Sequence, residues 1–212
     1  MDRPDPRATY DRIAEHFAAT REYPWPEIES FVDDADPVAL GLDIGCGNAR
    51  HAEVLAERAD RVVGLDASRG LLQAARERQD ARGFDADLVQ GDAARLPVAP
   101  SRFGLAVYVA TLHHLRPREI RLASLDELSR VLAPGGRALV SVWSTTHDRF
   151  DATEGFDTTV DWTLPGGETV PRYYHVYDPD EFERDLTASA LAVHDSFLAS
   201  GNCYAVVGPE VD

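Results

Sequence analysis

Lysine is missing from this chain. All 21 basic residues are arginine, against 37 acids, for a formal net charge of −16. The acids are scattered rather than gathered in one tail. A scattered acidic surface keeps a protein hydrated in concentrated salt, so the composition predicts a salt-loving cytoplasm. An ordinary acidic protein from a GC-rich genome would also prefer arginine codons. Such a charge argues against a nucleic-acid partner, an argument that weakens at 1 M salt, where the Debye length is only about 3 Å. Cysteine is nearly absent. Cys46 and Cys203 have no metal-ligand spacing, which argues against a metal centre. Sequence leaves a disulfide between them open, but a reduced pair is expected in a cytoplasm. No apolar run approaches the roughly 18 to 20 residues of a membrane span. The polar N-terminus, MDRPDPRATYDRIAEHF, has no apolar signal core, which predicts a cytoplasmic protein with no membrane contact. No Pro/Gly/Ser-rich linker divides the 212 residues, so one domain is expected over 1–212.

What is present is a regular alternation. Apolar runs at Leu40 to Ile44, Arg61 to Leu65, Ala86 to Gln90, Gly104 to Ala110 and Arg137 to Trp143 read as strands. Between them, Ala49 to Arg58, Ser68 to about Asp80 and Arg118 to Leu132 read as helices. Strict strand–helix alternation predicts a parallel sheet covered on both faces. Tyr10 to Thr20 reads as an amphipathic helix, followed by a stiff Pro24-Trp25-Pro26 loop and a short helix to Asp34. Residues 1–36 therefore read as a helical lid, in which Trp25 either plugs a core edge or covers a ligand. After Ser144 the texture changes. Residues 148–167 read as a long polar loop within a substrate-side insertion over 144–177, and a helix is expected near Asp178 to Ser189. Leu191 to Leu198 and Tyr204 to Val207 read as closing strands, with Asn202 in the turn between them.

Acids and small residues gather where these strands end. The first strand runs into Asp43-Ile44-Gly45-Cys46-Gly47-Asn48, whose glycines let backbone approach a ligand. Asp66 ends the second strand about twenty residues later, placed to accept hydrogen bonds from a ribose diol. Asp92 and Ala93 follow the third, and Ala110 to Leu115, ATLHHL, follows the fourth. A dinucleotide fold also has a glycine turn and a later acid. Here, however, Arg50 stands at the third glycine position, and Asp43 would lie unfavourably near a pyrophosphate. It suits a cationic ligand better.

The order D-x-G-x-G, acid, G-D-A and P-G-G resembles the class I S-adenosylmethionine-dependent methyltransferases over about residues 40–143. The flanking blocks YDRIAEHFAATREYPWPEIESF and RYYHVY, with VATLHHL and the Val142-Trp143 pair, resemble more narrowly the tRNA wobble-uridine carboxymethyl methyltransferases. This family is related to the methyltransferase domain of the AlkB-like tRNA hydroxylase. Ala49 stands where that family commonly has glycine, and Cys203 where it commonly has an aromatic. The resemblance implies a three-layer Rossmann-like fold, mostly parallel, with a C-terminal antiparallel hairpin. It implies S-adenosyl-L-methionine as cofactor. Asp43, Gly45, Cys46, Gly47 and Asn48 would hold its methionine end, Asp66 and Ala67 its ribose, and Asp92 and Ala93 its adenine, with Ala110 close by.

The reaction it implies is esterification of a carboxymethyl group on a tRNA wobble uridine. Arg21 and Arg172 are candidates to orient the carboxylate; charge-balancing surface roles are as compatible with the sequence. His114 and His175, with His113, are candidate donors. Tyr173 and Tyr174 could stack on the base, Trp25 could cover it, and Tyr10, Trp143 and Asn202 could line the pocket. Arg116, Arg118 and Arg121 are candidate tRNA contacts. Family members also work with a small zinc-binding activator protein. A small-molecule C- or O-methyltransferase, acting on a quinone precursor or a metabolite carboxylate, fits the central motifs equally. A non-catalytic scaffold fits less well, because all three acids are in place.

Overall fold

The computed structural model describes residues 5–210. Helix α1 (Pro6–Ala19) starts with proline at its first position and an Asp5 cap that accepts the Arg7 N–H. Helix α2 (Pro26–Asp33) follows the Trp25 loop. The alternating core then runs β1 (Val38–Ile44), α3 (Arg50–Leu55), β2 (Ala59–Asp66), α4 (Arg69–Arg82), β3 (Asp87–Gln90), β4 (Phe103–Val109), a 3-10 turn (Leu112–His114), α5 (Arg118–Val131) and β5 (Leu132–Trp143). The chain closes with β6 (Phe156–Thr163), β7 (Thr169–Val176), α6 (Pro179–Thr187), β8 (Leu191–Ala199) and β9 (Asn202–Pro209).

One seven-stranded sheet has the order β3-β2-β1-β4-β5-β9-β8. Strands β1 to β5 are parallel, whereas β9 is antiparallel to β5 and β8 antiparallel to β9. The expected fold is therefore present, including the C-terminal antiparallel hairpin. Strand β4 shows why the sheet is covered on both sides. Leu105, Val107 and Val109 enter one buried cluster and Ala106 and Tyr108 the other. The strand order reverses between β1 and β4, so the crevice at their carboxyl ends is the expected ligand position.

Two expectations change. Residues 148–167 are not one loop: Phe156–Thr163 pairs in antiparallel register with Thr169–Val176 as a separate two-stranded sheet. Phe156, Thr158, Val160 and Trp162 alternate with Asp157, Thr159, Asp161 and Thr163, so the strand has the right period but few apolar residues. Asn202 does not lie in the closing turn. Ser200 and Gly201 make it, both at positive φ, and Asn202 opens β9.

Helix α1 is fastened over the carboxyl ends of β1 and β2. Asp11 accepts the Ser68 hydroxyl at 2.7 Å and the Gly70 N–H at 2.9 Å. A Cβ on Gly70 would lie 2.8 Å from that of Ala14, so glycine permits the close approach. On its other side, His16 Nδ1 accepts the indole N–H of Trp162 from β6. Helix and hairpin together roof the crevice.

Candidate functional site: two adjoining clefts

The crevice divides into two clefts that share Tyr10, Phe17, Arg50, Ala110 and His114. The first holds about 910 Å3 of empty space, open solvent at its mouth included. All ten residues expected at a cofactor line it except Asp43, which lies beneath the floor, 1% exposed. The turn's shape has a steric cause. Gly45 has φ +72°, and a Cβ there would lie 2.0 Å from Thr111 Oγ1. Ala49 adopts φ +62°. That left-handed conformation accounts for the glycine common at this place in the resembling family. Ala110, also left-handed at φ +51°, sits on the wall between the clefts.

Two buried acids face this turn. Asp66 is already committed, with one oxygen accepting the Gly47 N–H at 2.9 Å and the other the Ser68 N–H at 2.8 Å. Burial raises it to about 6 despite those bonds. Asp43 rises to about 7, chiefly from burial and then from the Asp66 charge. A backbone hydrogen bond from Ala52 and the charge of Arg50 oppose that rise. Asp43 Oδ2 is buried without a hydrogen-bond partner. An orphaned carboxylate oxygen beside a second acid fits a ligand carrying positive charge. Asp92 is exposed and accepts the Ala94 N–H, leaving its other oxygen open at the cleft. The Cys46 thiol is pushed up by burial and by Asp43 and Asp66, so it stays neutral. Asn48 donates to the carbonyls of Ala18 and Arg21, tying the turn to the end of α1.

The second cleft is cationic in a strongly acidic chain. Arg21, Arg50, Arg149 and Arg172 line it, and no ion pair to a carboxylate is formed by any of them among the described residues. Each guanidinium instead lies over an aromatic ring. Arg172 sits 4.8 Å from the Trp162 ring centre and 5.2 Å from that of Tyr174. Arg21 sits 5.3 Å from the same indole and 5.0 Å from Phe17. Arg172 is buried with its Nε unpartnered. Burial and the neighbouring charge of Arg172 lower Arg21, and burial with the charge of Arg21 brings Arg50 down to about 10. Two like charges, Arg21 and Arg172, held close over one indole with the buried Arg172 Nε unspent, make an anion site.

The two histidines of ATLHHL have opposite tautomers. His114 Nδ1 faces the Tyr173 carbonyl at 2.7 Å, which can only accept, so Nδ1 carries the proton. Its Nε2 then accepts the Tyr10 hydroxyl at 2.9 Å. Burial, with Arg172 nearby, lowers His114 to about 4 and keeps it neutral. His113 Nδ1 accepts the Trp143 N–H at 3.0 Å, so its proton is on Nε2. That nitrogen is buried with no partner. Burial, then the neighbouring His114, drives His113 well below the usual imidazole range.

Strand alternation sorts the RYYH block. Arg172 and Tyr174 face the cationic cleft. Tyr173 and His175 face the opposite way, into a separate groove with Arg116, Arg118 and Arg121. His175 bridges Asp157 at 2.9 Å and Glu181 at 2.8 Å, and the Tyr173 hydroxyl donates to Asp157. The structure thus places both outside the cleft, where they brace β7 against β6 and α6. Arg121 is buried between Glu181, Asp185 and the Tyr177 ring, which removes it from any exposed tRNA surface. Arg118 pairs with Asp185. Tyr10, Trp25, Trp143 and Asn202 all line the cationic cleft. Sequence reasoning missed Phe17, Arg50, Thr111, His147, Arg149, Trp162 and Tyr204. Phe17, Arg50 and Trp162 take their places from a ring or arginine far away in the chain, a relation no local pattern displays.

Comparison with known proteins agrees with this geometry. A methyltransferase domain family matches residues 42–136. The tRNA (carboxymethyluridine(34)-5-O)-methyltransferase of Schizosaccharomyces pombe is 32% identical over 197 residues, covering 81% of this chain and 82% of that protein. The tRNA (carboxymethyluridine(34)-5-O)-methyltransferase ALKBH8 of Macaca fascicularis is 38% identical over 135 residues, or 64% of this chain. The match spans only 19% of that longer relative. In structure, the CcbJ methyltransferase from Streptomyces caelestis superposes with a TM-score of 0.76 at 20% identity, covering 98% of this chain and 100% of that one, a likeness of fold alone. A turn shaped for a cationic ligand, a matching domain family and a relative matched over most of its length lead to one conclusion: this chain belongs to the S-adenosylmethionine-dependent methyltransferases, in the tRNA carboxymethyluridine methyltransferase family.

Proposed function

We propose that this protein esterifies the carboxymethyl group of a modified wobble uridine in tRNA, with residues 5–210 acting as one methyltransferase domain. The observation that carries this reading is the unpaired Arg21–Arg172 pair, sharing the Trp162 ring, in a cleft that adjoins the cofactor cleft at Tyr10. Asp43 and the glycine turn would hold the charged methionine end of S-adenosylmethionine, Asp66 and Ala67 its ribose, and Asp92 and Ala93 its adenine. When bound, the cofactor supplies an electrophilic methyl group.

The protein's own residues then need to bind, orient and keep water out. A carboxylate is ionised at neutral pH, so no general base is required. Arg172 and Arg21 grip the carboxylate while leaving one oxygen free to react. Tyr10 forms part of the wall between the clefts, its hydroxyl hydrogen committed to His114. His114 is thus a positioning residue. Tyr174 and Trp143 supply flat surfaces for the base. A small zinc-binding activator would add a strand to an outer edge of the sheet, where β3 and β8 each have one unpaired side. The excess of acids over arginines, with no lysine, supports a salt-rich cytoplasm.

Disrupting the gene in its source cell and measuring tRNA nucleosides by mass spectrometry tests the reading. Loss of the methyl ester with accumulation of its free acid is expected; unchanged wobble-uridine modification contradicts it.

A further inference from the structure

Beyond the carboxylate site lies a second cationic feature that the reaction itself does not require. The segment after β5 brings His147 and Arg149 to the same cleft as Arg172. Arg149 is exposed, with its guanidinium 5.9 Å from the centre of the Trp143 ring. Its own backbone N–H donates to His147 Nδ1 at 3.0 Å. That bond places the imidazole proton of neutral His147 on Nε2, which has no protein partner among the described residues. The imidazole is seated rather than loose. A Cβ on Gly201 would lie 2.6 Å from His147 Cδ2, so the ring packs directly on the turn between β8 and β9. It also meets the Trp143 ring edge-on at 5.3 Å.

Trp143 and Tyr174 are themselves in contact, with ring centres 5.0 Å apart. The order across the cleft is therefore Arg172, Tyr174, Trp143, Arg149, with two aromatic rings separating an inner cation from an outer one. Glu27, a carboxylate lining the cleft, faces Ser200 and Tyr204 and forms no ion pair with Arg149 among the described residues. An inner guanidinium, a flat aromatic stretch and an outer guanidinium beside a free N–H match an anionic base substituent, a base and a backbone phosphate. We propose that His147 and Arg149, held against Trp143, form a phosphodiester subsite that anchors the RNA strand beside the target nucleotide.

This rests on the tRNA reading and goes further, because it separates strand binding from carboxylate binding within one cleft. It also addresses the charge of the chain. An RNA strand approaching a protein of net charge −16 needs a local cationic landing point next to the reactive pocket.

The test compares two ligands in the presence of S-adenosylhomocysteine. One is an anticodon stem-loop carrying 5-carboxymethyluridine at the wobble position; the other is the free 5-carboxymethyluridine nucleoside, which has no phosphate. Arg149→Ala is expected to weaken stem-loop binding about tenfold and leave nucleoside binding unchanged. It should also make the plot of log affinity against log salt shallower by about 0.7, the contribution of one phosphate contact on a single strand. Arg149→Lys should restore most of that slope. His147→Ala should weaken the stem-loop alone, to a smaller extent. Equal weakening of both ligands would place these residues on the base or carboxylate and overturn the proposal, as would no change with either. If the unaltered protein binds small carboxylates but not the stem-loop, the tRNA reading itself falls and the subsite with it.

Discussion

Asp43 and Asp66 give the cofactor cleft a defined response to pH. Both carboxyls are raised in the folded protein, to about 7 and about 6. Between the unfolded value near 4 and these folded values the native state binds more protons than the unfolded one, so stability falls as pH rises and levels off above about 7. A cationic ligand reverses the preference, because it favours the ionised acids. Affinity for S-adenosylmethionine should therefore increase from pH 5 to 8, with proton release visible as a buffer-dependent heat in calorimetry. Asp43→Asn should remove most of that dependence; a pH-independent affinity in the unaltered protein would contradict the assignment. At the anion site, Arg172→Ala should lower methyl transfer about 100-fold, roughly 2.7 kcal/mol in the barrier, while leaving S-adenosylhomocysteine binding intact. Lysine should rescue little, since an ammonium cannot lie flat between Trp162 and Tyr174. Normal turnover by Arg172→Ala would remove the residue from the site.

At the scale of elements, the sheet and the helical half of the roof are legible in the sequence, and the hairpin half is not. The acids at Asp43, Asp66 and Asp92 could be placed in advance because each ends an apolar run, and strand ends are visible one segment at a time. The hairpin β6–β7 escaped because its pattern is Thr and Asp alternating with single aromatics, and its stability comes from partners far away in sequence. Trp162 is the clearest case: its significance lies in His16, Phe17, Arg21 and Arg172. Even the RYYH block, which was singled out, could be divided into cleft-facing and groove-facing residues only once β7 had a register. If Trp162 holds the two guanidiniums, Trp162→Leu should raise KM for the tRNA several-fold more than it lowers kcat, and Trp162→Phe should recover most of the loss. Identical kinetics for the leucine variant would show that the arginines hold themselves. On the floor of the site, Gly45→Ala meets Thr111 and a left-handed backbone at once. It should weaken cofactor binding at least tenfold by calorimetry.

The whole molecule combines a strongly negative exterior with a positive interior cleft. Mutual repulsion among surface acids is screened at high ionic strength, where the Debye length shrinks to about 3 Å at 1 M. The midpoint of thermal unfolding should accordingly be higher in molar KCl than in dilute buffer; the reverse order would argue against adaptation to salt. Within that acidic shell, Arg21 and Arg172, with no carboxylate partner among the described residues, make the inner end of one cleft the place where a carboxylate is attracted, and the cofactor cleft beside it favours a cation. That juxtaposition is the basis for reading the site as a carboxylate methylase. Its most direct test is incubation of the protein with methyl-labelled S-adenosylmethionine and tRNA carrying 5-carboxymethyluridine, followed by mild alkali. Label that reaches the tRNA and is then released as volatile methanol is the predicted result, since only an ester hydrolyses this way. Label that stays on the tRNA through alkali, or never reaches it, would contradict the account.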